Sequence, residues 1–279
     1  MKWTKEAEEA VSKVPFFVRR RVRKRVEEEA SRRKANQVTL EHVTACKRRY
    51  LENMEEEVKG HQLETCFGPS GCPNRAVADD GLVAELERML SGKKLRDFLK
   101  AKVDGPLKMH HEFRVSISDC PNSCSRPQIV DFGIIGAVRP RISEHSCTGC
   151  GACVAVCKER AIEMDPVTDI AQLDLKKCLY CGQCVNICPT GALNVETQGY
   201  RIVVGGKLGR HPQLAEELQG IHSKDQLLEI MEKCLNHHMA HNSNGERFGE
   251  VLNRTGAGFL NNREGETKKL NKNEKNENG

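Results

Sequence analysis

Eight cysteines between Cys147 and Cys188 constrain this chain more than any other feature. They read Cys147-Thr-Gly-Cys150-Gly-Ala-Cys153-Val-Ala-Val-Cys157 and Cys178-Leu-Tyr-Cys181-Gly-Gln-Cys184-Val-Asn-Ile-Cys188. Each run has the spacing C-x2-C-x2-C-x3-C. The chemistry that needs such a run is an iron–sulfur cubane: three thiolates from one tight loop reach three corners, and the fourth ligand comes from elsewhere. Gly149, Gly151 and Gly182 let the backbone wrap closely. The alternatives are a zinc ribbon, which uses four Cys or His ligands at looser spacing, and a disulfide framework.

Over residues 141–198 the two runs resemble the bacterial two-cluster ferredoxins. That resemblance implies that the fourth cysteine of each run serves the other cluster. One cluster would take Cys147, Cys150, Cys153 and Cys188, and the other Cys178, Cys181, Cys184 and Cys157.

The 279 residues allow one large domain or two to three modest ones. Twelve of the 14 cysteines fall into metal-ligand spacings, which points to a reducing cytoplasm rather than secretion. The start, Met1-Lys-Trp-Thr-Lys-Glu-Ala-Glu-Glu-Ala, has no apolar core of a signal peptide, and no apolar run reaches membrane-spanning length. A net charge of +5 on 44 basic and 39 acidic residues argues against a general nucleic-acid binder. Aromatic residues make up only 4%, so the core must be aliphatic or built around inorganic cofactors.

Residues 1–56 read as helical. Ala7, Ala10, Val11 and Val14 recur at helical spacing, and Pro15 interrupts them before Phe16, Phe17 and Val18. A second helix carries Arg19, Arg20, Arg21, Arg23, Lys24 and Arg25, then Glu27, Glu28 and Glu29, charges that support one another three to four apart. The basic run is a solvated face or a docking patch for an acidic redox partner or for cofactor carboxylates. Thr39 is a suitable N-cap for a third helix burying Leu40, Val43, Leu51, Met54 and Val58. The pattern from Trp3 through Val14-Pro15-Phe16-Phe17-Val18-Arg19 to Ala30 resembles the small helical module at the C-terminus of the light-independent protochlorophyllide reductase B subunit. It implies a module, not an activity.

After Gly60, Cys66-Phe-Gly-Pro-Ser-Gly-Cys72 forms a Gly/Pro loop, and a helical stretch from about Leu82 to Lys100 breaks near Ser91-Gly92. Phe113–Ser118 alternates as a strand and runs into Cys120-Pro-Asn-Ser-Cys124, followed by a second strand over Ile129–Gly136. Two cysteine pairs in loops beside strands make a complete ligand set for a third [4Fe-4S] cluster; the other reading is free buried cysteines.

The order Cys66-x5-Cys72-Pro73-Asn74, then strand, then Cys120-Pro-Asn-Ser-Cys124-Ser-Arg126-Pro-Gln-Ile-Val-Asp-Phe-Gly-Ile-Ile-Gly136 resembles the siroheme and iron–sulfur region of sulfite and nitrite reductases. It is most similar to the small anaerobic and dissimilatory-like members with a ferredoxin insert at this point. Tyr200-Arg-Ile-Val-Val-Gly-Gly-Lys207-Leu-Gly-Arg210-His-Pro212 and Glu246–Leu252 extend the likeness over residues 61–256. It implies that Cys124 bridges a cluster iron and the siroheme iron, with Cys66, Cys72 and Cys120 completing that cluster. It also implies that Arg114, Arg126, Lys207 and Arg210 are the cations around the siroheme carboxylates, with Arg114 and Lys207 at the catalytic face toward a small inorganic oxyanion.

Two departures bear on this. The family's β half-domain before the first cysteine pair has no counterpart here, the helical module standing in its place. The family's Lys-x-Lys is Glu112-Phe113-Arg114, and a carboxylate aimed at an oxyanion would repel it. Leu227, Leu228, Ile230, Met231 and Leu235 then form an apolar helical stripe, followed by His237, His238 and His241, of which an i, i+4 pair suits a metal. Cys46 and Cys234 read as plain buried residues, and residues 257–279 as a disordered tail.

The expectation is an α+β redox protein: a helical module (1–56), a siroheme and 4Fe-4S domain (57–140 plus 199–256), a 2[4Fe-4S] ferredoxin insert (141–198) and the tail. Its cofactors would be three [4Fe-4S] clusters and siroheme, and its partner a redox protein or another reductase subunit. The leading function is a subunit or compact form of a sulfite or nitrite reductase; the alternatives are a non-catalytic electron carrier and a sensor of iron–sulfur status. Anaerobically reconstituted protein is therefore expected to hold about twelve iron atoms per chain, and a plateau at about eight would remove the Cys66/Cys72/Cys120/Cys124 set.

Overall fold

A computed structural model describes residues 1–14, 16–78, 81–143 and 147–260, without the side chains of 16–18, 21 and 51–54. The chain divides into two compact units, Met1–Lys59 with Val103–His110, and Gly60–Lys102 with His111–Gly279. No helix among the described residues is long and apolar enough to cross a membrane.

In the first unit, β1 (Lys2–Trp3) pairs in parallel with β2 (Gln37–Val38) and is joined by α1 (Lys5–Ser12), α2 (Phe16–Arg32) and α3 (Leu40–Glu57). Ala7, Val26, Ala30 and Val38 form its core. Glu29 is buried in α2 and receives Arg49 and Arg33. The Arg49 hydrogen bond, ahead of the opposing effect of burial, holds that carboxyl down to about 2. Leu40, expected in the core, is exposed, because the buried stripe of α3 begins at His42 and Ala45, and Val58 is buried beyond its end. Thr39 caps as expected, its N–H donating to His42 Nδ1 at 3.1 Å. The expectations for Pro15, Leu51 and Met54 lie outside the described residues.

The second unit is built on a five-stranded sheet. The strands β3 (His61–Thr65), β4 (Phe113–Ser118) and β5 (Phe132–Ile142) run parallel, and β8 (Leu193–Val204) and β9 (Glu216–Glu217) follow antiparallel. Phe113, Val115 and Ile117 alternate onto one face with Phe132, Ile134, Tyr200 and Ile202. Against them pack α4 (Leu82–Gly92), α8 (Lys224–His241) and α9 (Phe248–Thr255) through Leu86, Leu90, Leu227, Met231, Leu235 and Val251. The break after α4 falls at Lys93-Lys94, and α5 (Leu95–Lys102) follows.

The opposite face of β4 is polar and buried. Ser116 Oγ donates to Ser125 O at 2.7 Å, and Ser118 Oγ meets Ser125 Oγ at 2.7 Å. These bonds lay the 119–131 connection, with Cys120 and Cys124, onto that face. The strand expected from Ile129 begins instead at Phe132, after a 3-10 turn at Pro127–Ile129. Asp131, fully buried, accepts from Arg247 Nη2 at 2.6 Å and Nε at 3.1 Å, Phe248 N at 3.1 Å and Arg114 N at 2.8 Å. One carboxylate thereby ties β5 to β4 and to the start of α9.

The strands β5 and β8 continue past the sheet as a two-stranded ribbon, from Phe132↔Val204 to Ile142↔Leu193. At Pro140, which has no N–H to give, the register slips by one residue and Glu196 is left as a bulge. Glu196 then pairs with Arg139 at 2.6 Å. The ribbon ends in a cysteine-rich lobe: α6 (Ala152–Val156), the β6 (Ile162–Met164) and β7 (Ala171–Leu173) hairpin, and α7 (Gln183–Ile187). Residues 257–260, assigned to the tail on composition, instead form a 3-10 turn at Gly258–Leu260, with Phe259 stacked on His237 at 3.9 Å. The rest of that tail lies outside the described residues.

His238 sits among the rings of Phe98, Phe113 and Phe248. Burial, with lesser and partly cancelling effects from Asp131 and Arg247, pushes its imidazole down to about 4. The fold therefore holds it neutral. Stability from this group is whole above about pH 6.5 and is lost as pH falls toward 4, by about 3 kcal/mol in all. Urea unfolding midpoints measured from pH 7 to 5 should show that decline, and His238→Leu should flatten it.

Candidate functional site

The parallel strands β3 and β4 each end in a cysteine loop. Cys66 follows β3 and its N–H donates to Ile117 O at 2.9 Å, which sets the first thiol beside the end of β4. The N–H groups of Gly68 and Asp119 both donate to Cys66 Sγ at 3.3 Å. Cys120 is buried and Cys124 exposed. Burial, against the opposing hydrogen bond from the Asn122 backbone and together with the neighbouring Cys124, Cys66 and Cys72, raises the Cys120 thiol.

In the lobe, Cys147, Cys150, Cys153 and Cys188 line one cavity of about 20 Å³ with Ile142 and Ala192. Cys157, Cys178, Cys181 and Cys184 line a second, of about 230 Å³. Each cavity is lined by three cysteines of one run and one of the other, the grouping that the ferredoxin likeness would require. Cys153 and Cys184 meet in the apolar core between them with Ile162, Ala171 and Leu193. The second cavity is also lined by Cys120, Pro121 and Asn122. Val138 of β5 makes that junction: its N–H donates to Tyr180 O at 2.7 Å, and its side chain packs on Cys120 and Val185.

Backbone N–H groups point at the lobe's sulfurs as well: Ala161 to Cys157 at 3.3 Å, Tyr180 to Cys178 at 3.4 Å and Leu193 to Cys188 at 3.4 Å. At Cys188 burial acts upward, but these bonds, with Thr190, outweigh it and lower the thiol. Burial raises Cys153 and Cys178 and pushes Cys184 up to about 12. A metal cation would favour the thiolate form of the buried Cys153, Cys178 and Cys184, and the clustering of four sulfurs at each cavity suits iron–sulfur clusters. No three His, Cys, Asp or Glu side chains among the described residues converge as a single-ion site, the histidines of α8 included. A cubane needs a wider cradle, with one thiolate per corner.

The four candidate cations separate into two groups. Arg114 and Arg126 line one cavity of about 90 Å³ with Gln62, Glu64, Ser125 and Leu208. That volume suits a carboxylate-bearing substituent and not a macrocycle, and it lies next in sequence to the exposed Cys124. Lys207 is not gathered with them: its Nζ donates to Glu250 Oε1 at 2.7 Å. Arg210 is exposed in the following turn. Glu112, expected as an acid facing the oxyanion, is buried and accepts from Gly60 N at 3.2 Å and Gln62 Nε2 at 2.6 Å. It ties the entries of β3 and β4 together. Cys234 is fully buried, its thiol raised by that burial, whereas Cys46 is half-buried.

Sequence reasoning missed Val138, which reads as any apolar strand residue. It also missed Asp119, whose place just before Cys120 was the available signal.

Cysteine sets of this kind on an α+β frame define an iron–sulfur redox protein. The chain belongs to the nitrite and sulphite reductase 4Fe-4S domain family, whose model matches residues 62–269. Residues 3–47 match the proto-chlorophyllide reductase 57 kD subunit family. The chain is 37% identical over 195 residues to the coenzyme F420-dependent sulfite reductase of Methanocaldococcus jannaschii, covering 67% of this chain and 29% of that protein. It is 29% identical over 105 residues to one subunit of the anaerobic sulfite reductase of Salmonella typhimurium, covering 38% of this chain and 26% of that one. The chain thus spans under a third of these two relatives. Dissimilatory sulfite reductase I is similar at a TM-score of 0.49 and 21% identity, over 71% of this chain and 50% of that structure.

Gly182 opens α7 at φ 74°, and a Cβ there would stand 3.0 Å from the Val138 side chain. Gly182→Ala should cost about 1–2 kcal/mol at that conformation and loosen the loop from Val138. The expected result is faster loss of iron on chelator challenge than in the wild type, and equal rates would dissociate the contact from cluster retention.

Proposed function

We propose that this chain is a subunit, or a compact form, of a siroheme-dependent sulfite or nitrite reductase that carries three [4Fe-4S] clusters. In this reading residues 141–198 are a ferredoxin insert, residues 57–140 with 199–256 hold the reductase cluster, and residues 1–56 are an accessory helical module. The observation that carries it is the shared cavity of Cys157, Cys178, Cys181, Cys184 and Cys120. It supports an order of transfer from the Cys147/Cys150/Cys153/Cys188 set, through the Cys157/Cys178/Cys181/Cys184 set, to the Cys66/Cys72/Cys120/Cys124 set.

Siroheme, when bound, supplies the iron at which an oxyanion such as sulfite or nitrite is reduced. Cys124, the exposed one of the four cysteines, would be the residue to share its thiolate with both centres. Arg114 and Arg126 offer charge-assisted hydrogen bonds to the carboxylates of the macrocycle, and Arg114 is the residue to orient the oxyanion. Lys207 would join them only after leaving Glu250, and Arg210 would have to fold inward from solvent. Electrons would come from a redox partner or a further subunit, which could also supply cations to the macrocycle.

The Lys207–Glu250 pair favours one competing reading, an electron carrier of this family without catalysis. An anaerobic absorption spectrum with tetrapyrrole extraction, on protein made in a siroheme-producing host, separates the two. Siroheme is expected, with Cys124→Ser abolishing its coupling to the cluster while Cys178→Ser leaves that coupling intact. A brown protein with iron–sulfur absorption alone would leave the carrier standing.

A further inference from the structure

Two loops supply the Cys66/Cys72/Cys120/Cys124 set, and an ion pair joins them. Arg75, three residues past Cys72, donates through Nε to Asp119 Oδ2 at 2.8 Å. Asp119 directly precedes Cys120. Its N–H donates to Cys66 Sγ at 3.3 Å and its carbonyl accepts from Ala76 N at 2.8 Å. Its carboxylate rests on the backbone of Gly68, where an added Cβ would come within 2.0 Å of Oδ2. The Asp119 side chain is 11% exposed and that of Arg75 25%. A full charge of each sign thus lies inside the ligand loops, in surroundings where charges are weakly screened.

We infer that Arg75 and Asp119 poise the reduction potential of this centre between two opposed charges, each offsetting the other. The inference rests on the assignment of the four cysteines to one cluster. Reduction adds an electron to an already anionic group of thiolates and iron, so a neighbouring carboxylate resists it and a neighbouring guanidinium favours it. With both present the effects offset. With Asp119 neutralised, Arg75 acts alone and the centre becomes easier to reduce. With Arg75 removed, Asp119 acts alone and the centre becomes harder to reduce. A pair that only braced the loops would behave otherwise: either substitution would loosen both loops and act in the same direction.

The test is an EPR-monitored redox titration of the full reconstituted chain, with iron counted in every sample. The centre is identified as the signal lost in Cys120→Ala. Asp119→Asn, which keeps the N–H to Cys66 and a side-chain acceptor for Arg75, should move that potential upward. Arg75→Gln should move it downward, and Arg75→Lys should restore it. The two clusters of the lobe should keep their potentials in all three variants. Shifts of one sign, shifts shared by all clusters or no shift would overturn the inference. If Asp119→Asn fails to load the cluster, the more exposed Arg75 decides alone, and an unchanged or raised potential in Arg75→Gln overturns it. A wild type with about eight irons removes the cluster assignment and this inference with it; about twelve irons with unmoved potentials removes the inference only.

Discussion

The antiparallel ladder between β5 and β8 is the interaction on which the second unit depends. Its inner half forms the centre of the five-stranded sheet, and its outer half carries the cysteine-rich lobe. Because one continuous set of backbone hydrogen bonds serves both, the lobe is held as an extension of the sheet and not on a flexible tether. The bulge at Glu196, facing Pro140, shifts the register of that ribbon beyond the sheet. Val138, just before that shift, returns the second cysteine loop to the end of β4 through the Tyr180 carbonyl. The nearness of Cys120 to the lobe's second set follows from these two contacts.

Burial and backbone donors act against each other on the thiols. Packing Cys184 and Cys153 into the lobe's core makes their thiolates costly, whereas at Cys188 the N–H of Leu193 and its neighbours outweigh burial and lower the thiol. In the proposed reading iron would offset the remainder, and cluster binding and the folding of this lobe would then be coupled. The same economy of buried charge appears in Asp131, whose carboxylate satisfies four donors from two elements, β4 and the start of α9. Replacing one partner of such a pair leaves an uncompensated buried charge, which is why its value lies in organisation more than in net stability.

The helical first unit uses one buried acid in a similar way. Glu29 gathers arginines from α2 and α3, and Arg23 stacks over Trp3 at 4.4 Å while reaching Glu8. Of the basic run of α2, Arg23 is thereby engaged inside the unit, and Arg19 donates to the carbonyls of Ser12 and Val14. Arg20, Lys24 and Arg25 remain exposed.

Cysteine spacing by itself marked the loops that the proposed clusters would occupy, because a cubane imposes its geometry on the loop that holds it and so leaves a regular trace in the chain. Alternation in Phe113–Ser118 and the helical periods of residues 82–102 and 224–241 were legible for the same reason: local hydrogen bonding has a fixed repeat. Boundaries were less so, as the late start of β5 and the ordered Gly258–Leu260 turn show, since backbone pairing over long sequence separations sets them. Only the tertiary structure decided what the charged residues do. Glu112 and Lys207 look alike in sequence to groups that face a substrate, yet each finds its partner far along the chain, Glu112 on Gln62 and Lys207 on Glu250. Spacing records what a short loop must wrap around. It does not record which distant charge a side chain meets once the sheet has closed, because that pairing is set by where β3, β4 and α9 end in space.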